Sequence, residues 1–434
     1  MKVWDYRGRL EFAPVEEIRA AQTALLREHL AWLMARSPYY KRELGGAGVT
    51  PAAVTPETLH TLPFTTKADL GRDPEAFLAV PRREVVDIVL SSGTTGQPTA
   101  VMYTENDLRR LSYNEEISFA GCGVTADDTV LLTCTIDRCF IAGLAYYAGA
   151  RALGAAVVRN GLCSVASHLE VIRRLRPTVL VGVPTFLLKL GEYLRGEGLD
   201  PAGLGVKALI CIGEPIRDRT LAPLQVGARL EAVWGAPPYS TYASSETISS
   251  FCECSARRGG HLHPELAIVE IVAEDGTVLP PGEVGEVVTT PLAIEGMPLL
   301  RFKTGDMSFL VDQPCPCGRT SVRLGPILGR KAQMMKVRGT TLYPQAIYAA
   351  LDDLPGVGEY YVSVAGDFAL ADEVTVHVAV TDAGCTAAAI GEKLQARLRV
   401  QPRVAIEPLE EVRRRVYPSD SRKPVRFVDE RRSP

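Results

Sequence analysis

Val85-Val86-Asp87-Ile88-Val89-Leu90 runs directly into Ser91-Ser92-Gly93-Thr94-Thr95-Gly96-Gln97-Pro98-Thr99. The first stretch is a short apolar run and reads as a buried strand. The second reads as an anion-binding loop. Its glycines let the backbone turn sharply and present N–H groups, and its hydroxyls add donors for phosphate oxygens. It is not the Walker loop, because no Gly-Lys-Ser/Thr follows. Beyond it, strands and helices alternate. Thr129 to Thr133, Ala155 to Val158, Thr178 to Val183 and Lys207 to Ile212 read as strands. Gly143 to Leu153, Ala166 to Arg176 and Pro184 to Arg195 read as helices. Such alternation predicts an α/β fold with a mixed, largely parallel sheet. Upstream, residues 14–36 carry Ile18, Ala21, Leu25, Leu26, Leu30 and Leu33 at helical spacing.

The texture changes after about Gly260. Ala267 to Ala273, Gly285 to Thr290 and Met307 to Val311 read as strands between Gly/Pro turns, which predicts a β-rich subdomain over about 250–328. Past Gly329 a small α+β unit is expected, with helices at Pro344 to Leu351 and Thr386 to Arg399. Its strands are expected at Glu359 to Val364, Glu373 to Val380 and Val404 to Leu409. A chain of 434 residues exceeds what one core usually supports. The expected division is therefore a large domain at 1–329 and a small one at 330–434.

Composition excludes several function classes. Apolar residues make up 46% and charged residues 23%, as in a soluble globular protein. A formal charge of -3 argues against a nucleic-acid partner. The clusters Arg413-Arg414-Arg415 and Arg431-Arg432 read as solvated surface. Met1 to Arg7 lacks the apolar run of a signal peptide. Ile141 to Val158, interrupted by Arg151 and rich in Gly and Ala, is too short for a membrane span. Ten cysteines without a secretion signal do not suggest a disulfide framework. The cytoplasm is the expected location, with no membrane partner.

The phosphate loop has company in sequence order: Tyr242-Ala243-Ser244-Ser245-Glu246, Arg301-Phe302-Lys303-Thr304-Gly305-Asp306, Gly329-Arg330, Lys336-Val337-Arg338-Gly339 and Arg422-Lys423-Pro424-Val425-Arg426. This ordered set resembles the adenylate-forming superfamily of acyl-CoA synthetases. Ser37-Pro38-Tyr39-Tyr40, Pro63-Phe64-Thr65-Thr66-Lys67 and Gly213-Glu214-Pro215 bring the resemblance closer to the phenylacetate-CoA ligases. The resemblance implies two half-reactions: a carboxylate attacks the α-phosphate of ATP, and the thiol of CoA then displaces AMP. It implies that Ser91, Ser92, Gly93, Thr94, Thr95 and Gly96 hold the β/γ-phosphates and that Ser245 touches the α-phosphate. Tyr242 would lie along the adenine, with Gly213, Glu214 and Pro215 on its other side. Glu246 would bind Mg2+, a hard cation suited to carboxylate oxygen. Asp306 would accept from the ribose hydroxyls, and Arg330 would sit near the ribose and a hinge. Lys423 would bridge the acid's carboxylate and the α-phosphate, a task suited to a point charge on a long stem. After rotation of the small domain, Lys336, Arg338 and Gly339 would line a CoA channel. Relatives of this kind are often dimers, so a homodimer is the expected assembly.

The acid pocket is expected among Arg138, Phe140, Ile212, Tyr239 and Ala243, where Phe140 suits an aromatic acid. Cys252-Glu253-Cys254, His261-Leu262-His263 and Cys315-Pro316-Cys317 supply thiolates and imidazoles in numbers that suit structural zinc. Cys254, His263, Cys315 and Cys317 match the set that some phenylacetate-CoA ligase relatives carry, with Cys252 and His261 as competing ligands. The chain also departs from its relatives. Gln97 stands where they commonly have lysine, and Lys331-Ala332-Gln333 follows Gly329-Arg330 where an aspartate is usual. Two other functions therefore stay open at this level: adenylation with transfer to an amine or carrier protein, and nucleotide binding without catalysis.

Overall fold

Alternate residues of the central strands point to opposite faces, and each face finds its own layer of helices. Six strands form the main sheet in the order β4-β3-β5-β6-β7-β8. They are β3 (Thr129–Leu132), β4 (Ala156–Arg159), β5 (Val179–Gly182), β6 (Ala208–Ile212), β7 (Pro238–Ser244) and β8 (Ser249–Cys252). The first five run parallel, and β8 adds an antiparallel edge. Val130, Val181 and Ile210 pack on one face with Phe119 and Tyr146 of the helices Glu105–Gly121 and Ala142–Ala152. Leu131, Leu180 and Leu209 pack on the other, against Val165–Leu175, Pro184–Gly196 and Gln225–Trp234. The connections are crossover helices, as parallel neighbours require.

This is a computed structural model; it describes residues 2–46, 48–91, 99–337, 340–367, 371–382, 384–418 and 424–431. The described chain divides into two units, 1–304 with 308–327 and 305–307 with 328–434. In the first unit β1 (Val85–Ser91) and β2 (Thr99–Thr104) form a separate antiparallel pair. β1 is therefore not the fully buried strand that its apolar run predicts. Among the described residues β2 is its one strand partner, and Val86 and Ile88 face solvent. The expected strand over Met307 to Val311 is split, with one strand ending at Ser308 and a short one at Leu310–Val311. Ala267–Val272 and Gly285–Pro291 pair antiparallel in the β-rich region.

The second unit has a four-stranded sheet. Its order is Arg403–Ile406, Ala371–Val380, Val357–Asp367, Phe427–Asp429. Helices Pro344–Asp352 and Ala387–Leu398 cover one face through Ile347, Leu351, Ile390 and Leu394. Helix Leu409–Val416 lies on the other through Val412 and Val416. Among the described residues, no helix is long and apolar enough to cross a membrane.

Helix Glu105–Gly121 buries a polar face. Asp107, Arg110, Asn114, Glu115 and Ser118 are all buried on it. Arg110 is the centre: its guanidinium donates to the carbonyls of Leu292, Ile248 and Leu266 and to Ser249 Oγ. Asn114 exchanges bonds with the Ser250 backbone in both directions. Burial lowers the Arg110 pKa to about 10, which leaves it cationic at neutral pH. Arg110→Met would strand the Leu292 and Ile248 carbonyls, each costing about 1–3 kcal/mol, while the Leu266 carbonyl keeps the Leu292 amide. Urea titration should show at least about 2 kcal/mol of lost stability; an unchanged midpoint would mean that the guanidinium is not the tie.

Candidate active site and metal centre

The carboxyl ends of parallel strands are where open α/β sheets bind ligands. At the end of β6 the chain turns through Gly213, whose φ of 77° is left-handed. A Cβ there would meet nothing within 4 Å, so the backbone borders open space. Glu214 fastens this turn to the next crossover, accepting from the Thr185 amide at 3.1 Å and its hydroxyl at 2.9 Å. Ile212 and Tyr239 join the apolar cluster on the sheet's inner face. Tyr242 tilts beside Phe251, with ring centres 6.3 Å apart.

Beyond β7 comes Ser244-Ser245-Glu246-Thr247-Ile248, ending on a left-handed Ile248 with φ 49°. A β-branched residue resists that conformation. Here the Ile248 carbonyl is one of those held by Arg110, so the buried guanidinium fixes the turn that presents Glu246. The Tyr103 hydroxyl of β2 donates to the Ser245 carbonyl at 2.9 Å, joining the β1/β2 pair to the end of β7. Ser244 Oγ donates to Glu246 Oε2 at 2.9 Å. Lys67 Nζ lies 2.8 Å from Glu246 Oε1. Burial pushes the Glu246 carboxyl up, but the Lys67 ammonium and the hydrogen bonds outweigh it and hold its pKa below the ordinary value. Glu246 is therefore an ionised carboxylate, already facing one cation.

Lys67 is delivered by a tightly tied segment. It opens the helix Lys67–Arg72, capped by a reciprocal Thr66–Asp69 box. Thr65 Oγ1 donates to the Leu300 carbonyl at 2.7 Å, so the Tyr40 hydroxyl donates in turn to Thr65 Oγ1 at 2.8 Å. Arg301 makes a two-pronged bond to Glu270 at 2.8 and 2.9 Å and donates to the carbonyls of His60 and Leu62. Its charge also lies over the Phe64 ring at 4.0 Å. Lys67 closes the segment Pro63 to Lys67, but nothing in the sequence marks its pairing with Glu246, and nothing marks Tyr103.

At the base of the phosphate loop, Ser91 is buried and its hydroxyl has no partner among the described residues. Ser92, Gly93, Thr94, Thr95, Gly96 and Gln97 lie outside the described residues, as do Arg338, Gly339 and Lys423. Leu90 N–H donates to the Cys139 carbonyl at 2.9 Å, tying β1 to the segment Asp137 to Phe140. Arg138 and Cys139 are both left-handed, at 60° and 54°. Arg138 is exposed and Phe140 half-buried. In the second unit, Asp306 Oδ1 lies 3.5 Å from Arg330 Nε, and the two residues are register partners. Lys336 is exposed, while its amide donates to Asp372 at 2.6 Å.

A second cluster lies in the β-rich region. One ligand atom each from Cys254, His261, Cys315 and Cys317 fall within 4.8 Å of one another. Cys254 and Cys315 sulfurs are 3.6 Å apart, and Cys317 Sγ is 3.5 Å from His261 Nε2. Tetrahedral zinc with Zn–S bonds of about 2.3 Å would put its sulfurs roughly 3.8 Å apart, so the spacing fits. His261 Nδ1 meets Ser321 Oγ at 3.1 Å, an outer partner of the kind that orients a ligating imidazole. Burial holds the His261 pKa down to about 3, so the ring is neutral. Burial and the neighbouring thiols push Cys254 up to about 12. Three sulfurs at this spacing favour a cation that would deprotonate them.

The imidazole in this cluster is His261, which corrects the expectation of His263. His263 Nδ1 contacts Glu11 at 2.8 Å and its Nε2 contacts Ser118 Oγ at 3.1 Å. Both of its nitrogens are thus used elsewhere. The competing Cys252 is also elsewhere, 3.4 Å from Cys122 and accepting from Thr241.

The chain is similar to known proteins along most of its length. Residues 40–291 match the model of the AMP-binding enzyme family, and residues 339–431 match that of the AMP-binding enzyme C-terminal domain. The phenylacetate-coenzyme A ligase of Thermus thermophilus is 36% identical over 384 residues, spanning 87% of this chain and 84% of the relative. A crystal structure of 2-hydroxyisobutyryl-CoA ligase with 2-HIB-AMP aligns with TM-score 0.83 at 24% identity, over 97% of this chain and 91% of that one. The same ligase with 2-HIB-AMP and CoA aligns with TM-score 0.70 at 25% identity, over 98% and 92%.

Proposed function

We infer the reaction from one premise: the chain belongs to the family of AMP-binding enzymes, in its phenylacetate-CoA ligase-like branch. It is an AMP-forming acid–thiol ligase. A carboxylate oxygen attacks the α-phosphorus of ATP and pyrophosphate leaves, giving acyl-AMP. The sulfur of CoA then attacks the acyl carbon and AMP leaves. No protein nucleophile is needed; the protein orients two anions and offsets the charge that develops between them.

The observation that carries the residue roles is the Glu246 turn, with its ionised carboxylate at the carboxyl end of β7. In this reading Glu246 takes Mg2+, and Lys67 occupies that face of the carboxylate as counter-charge when no metal is bound. The loop Ser91 to Gly96 grips the pyrophosphate end, and the buried Ser91 hydroxyl at its base, without a partner among the described residues, supports this. Ser245 reaches the α-phosphate, its carbonyl being engaged by Tyr103. Asp306 and Arg330 serve the ribose, and Lys423 bridges carboxylate and phosphate. Lys336 and the two residues after Val337 serve CoA. An aromatic acid is the proposed substrate class, supported by the apolar residues Ile212 and Tyr239 and by similarity to the phenylacetate-coenzyme A ligase of Thermus thermophilus.

Zinc is the proposed ion for Cys254, His261, Cys315 and Cys317. Four protein ligands would leave no open position, so its role would be to tie strand Gly260–His261 to the Cys315–Cys317 loop.

Two measurements test these assignments. With a panel of aryl and aliphatic acids and hydroxylamine as trap, the protein should form a hydroxamate that requires ATP. Lys423→Ala should reduce it by roughly 100- to 1,000-fold, the cost of one lost charge-stabilising contact. ATP binding without hydroxamate from any acid would contradict the ligase reading, and full activity in Lys423→Ala would contradict the assigned lysine. Metal analysis of purified protein should find about one zinc per chain. His261→Ala should lose it and His263→Ala should keep it; the reverse would overturn the ligand set.

A further inference from the structure

The sheet of the second unit carries a connected set of side chains that the ligase reaction does not use. Ser363 Oγ lies 2.8 Å from His377 Nε2, and His377 Nδ1 lies 2.5 Å from Glu407 Oε1. Glu407 can only accept when ionised, so Nδ1 carries the proton and Nε2 is left to accept from the serine hydroxyl. The Tyr361 ring stacks on the imidazole at 4.2 Å and 2°, and its hydroxyl donates to Glu407 Oε2 at 3.4 Å. The imidazole is thereby fixed in plane and in tautomer. These are the nucleophile–base and base–orienter bonds by which a serine triad is recognised, whatever fold carries it.

Burial does not require this arrangement. His377 and Glu407 side chains keep 17% and 25% of their exposure, so water could satisfy them. Solvent exposure also leaves the set accessible. Ser363 sits opposite Val428 in the parallel pairing of Val357–Asp367 with Phe427–Asp429, on the same face of the sheet. Val428, the register neighbour of Ser363, lines a groove of about 400 Å3 together with Arg414, Arg415, Val425 and Asp429. The strand next to the serine thus borders a groove that carries two guanidiniums and one carboxylate.

We propose that Ser363, His377 and Glu407 form a second site, a nucleophilic serine that takes acyl groups from esters and thioesters. Ser363 Oγ bonds to the carbonyl carbon as its proton passes to His377 Nε2. The bond to the leaving oxygen or sulfur breaks, and the leaving group takes that proton. Water then attacks the acyl-serine, with His377 again accepting and returning a proton. The acid leaves and the serine is restored; ester plus water gives acid plus alcohol, with no oxidant or further reactant. Glu407 touches no reacting atom and is a positioning residue.

The test uses the full-length chain. A fluorophosphonate probe should label Ser363, located by peptide mass spectrometry, and 4-nitrophenyl acetate should be hydrolysed. Ser363→Ala should abolish both. His377→Gln should slow labelling by about 100-fold or more, the usual contribution of a general base. Glu407→Gln should weaken labelling and change its pH profile. Acyl-CoA formation by each variant serves as the check that it is folded. Three results would overturn the proposal: no labelling of Ser363 in folded parent protein, equal labelling in His377→Gln, or esterase activity that survives in Ser363→Ala.

Discussion

The buried guanidinium of Arg110 is the constraint on which the first unit depends. It sits inside the protein without exposure and donates to backbone carbonyls, with Asp107 and Glu265 near enough to favour its charge. Three carbonyls from separate chain reversals converge on it. One belongs to Ile248, whose left-handed backbone would otherwise be costly. Once that turn is fixed, Ser245 and Glu246 have one place to be, within reach of Tyr103 from β2 and Lys67 from the amino-terminal segment. A second buried guanidinium does related work: Arg301 pairs with Glu270 and holds the carbonyls of His60 and Leu62, which leads the chain through Thr65 to Lys67. Arg301 of a quoted motif and Arg110, outside every motif, thus act on the scaffold, and together they position the ionised Glu246 carboxylate.

Much of the scaffold was legible in the sequence because apolar periodicity governs it. β3 to β6 and the helices Ala142–Ala152, Val165–Leu175 and Pro184–Gly196 fall within a residue or two of where the pattern predicts them, whereas β7 and the helix Gln225–Trp234 were not foreseen. Helix Glu105–Gly121 was not legible, for a physical reason. Its buried surface mixes Asp107, Arg110, Asn114, Glu115 and Ser118 with Leu111, Tyr113, Ile117 and Phe119, so no clean apolar stripe marks it. β1 misled in the opposite sense, since an apolar run implies a buried strand only where partners cover both faces.

The same division holds for the candidate sites. Glu246 and Ser245 were identifiable as a motif, yet Lys67 meets them from far away in sequence, and spacing cannot reveal such a pairing. His261 and His263 are two residues apart and offer the same chemistry. They are told apart by the chain path: the strand ends at His261, and His263 turns away to Glu11 and Ser118. The set Ser363–His377–Glu407 was invisible for a further reason. Its members lie on neighbouring strands and a following loop, brought together by register alone.

The central claim is that the Arg110-held turn presents Glu246 as the carboxylate of an adenylating site. Acid-dependent exchange of labelled pyrophosphate into ATP, measured without CoA in the parent and in Glu246→Gln, tests it most directly. The account predicts exchange in the parent and a loss of roughly 100-fold or more in the variant, with ATP binding retained. Equal exchange in both proteins would contradict it.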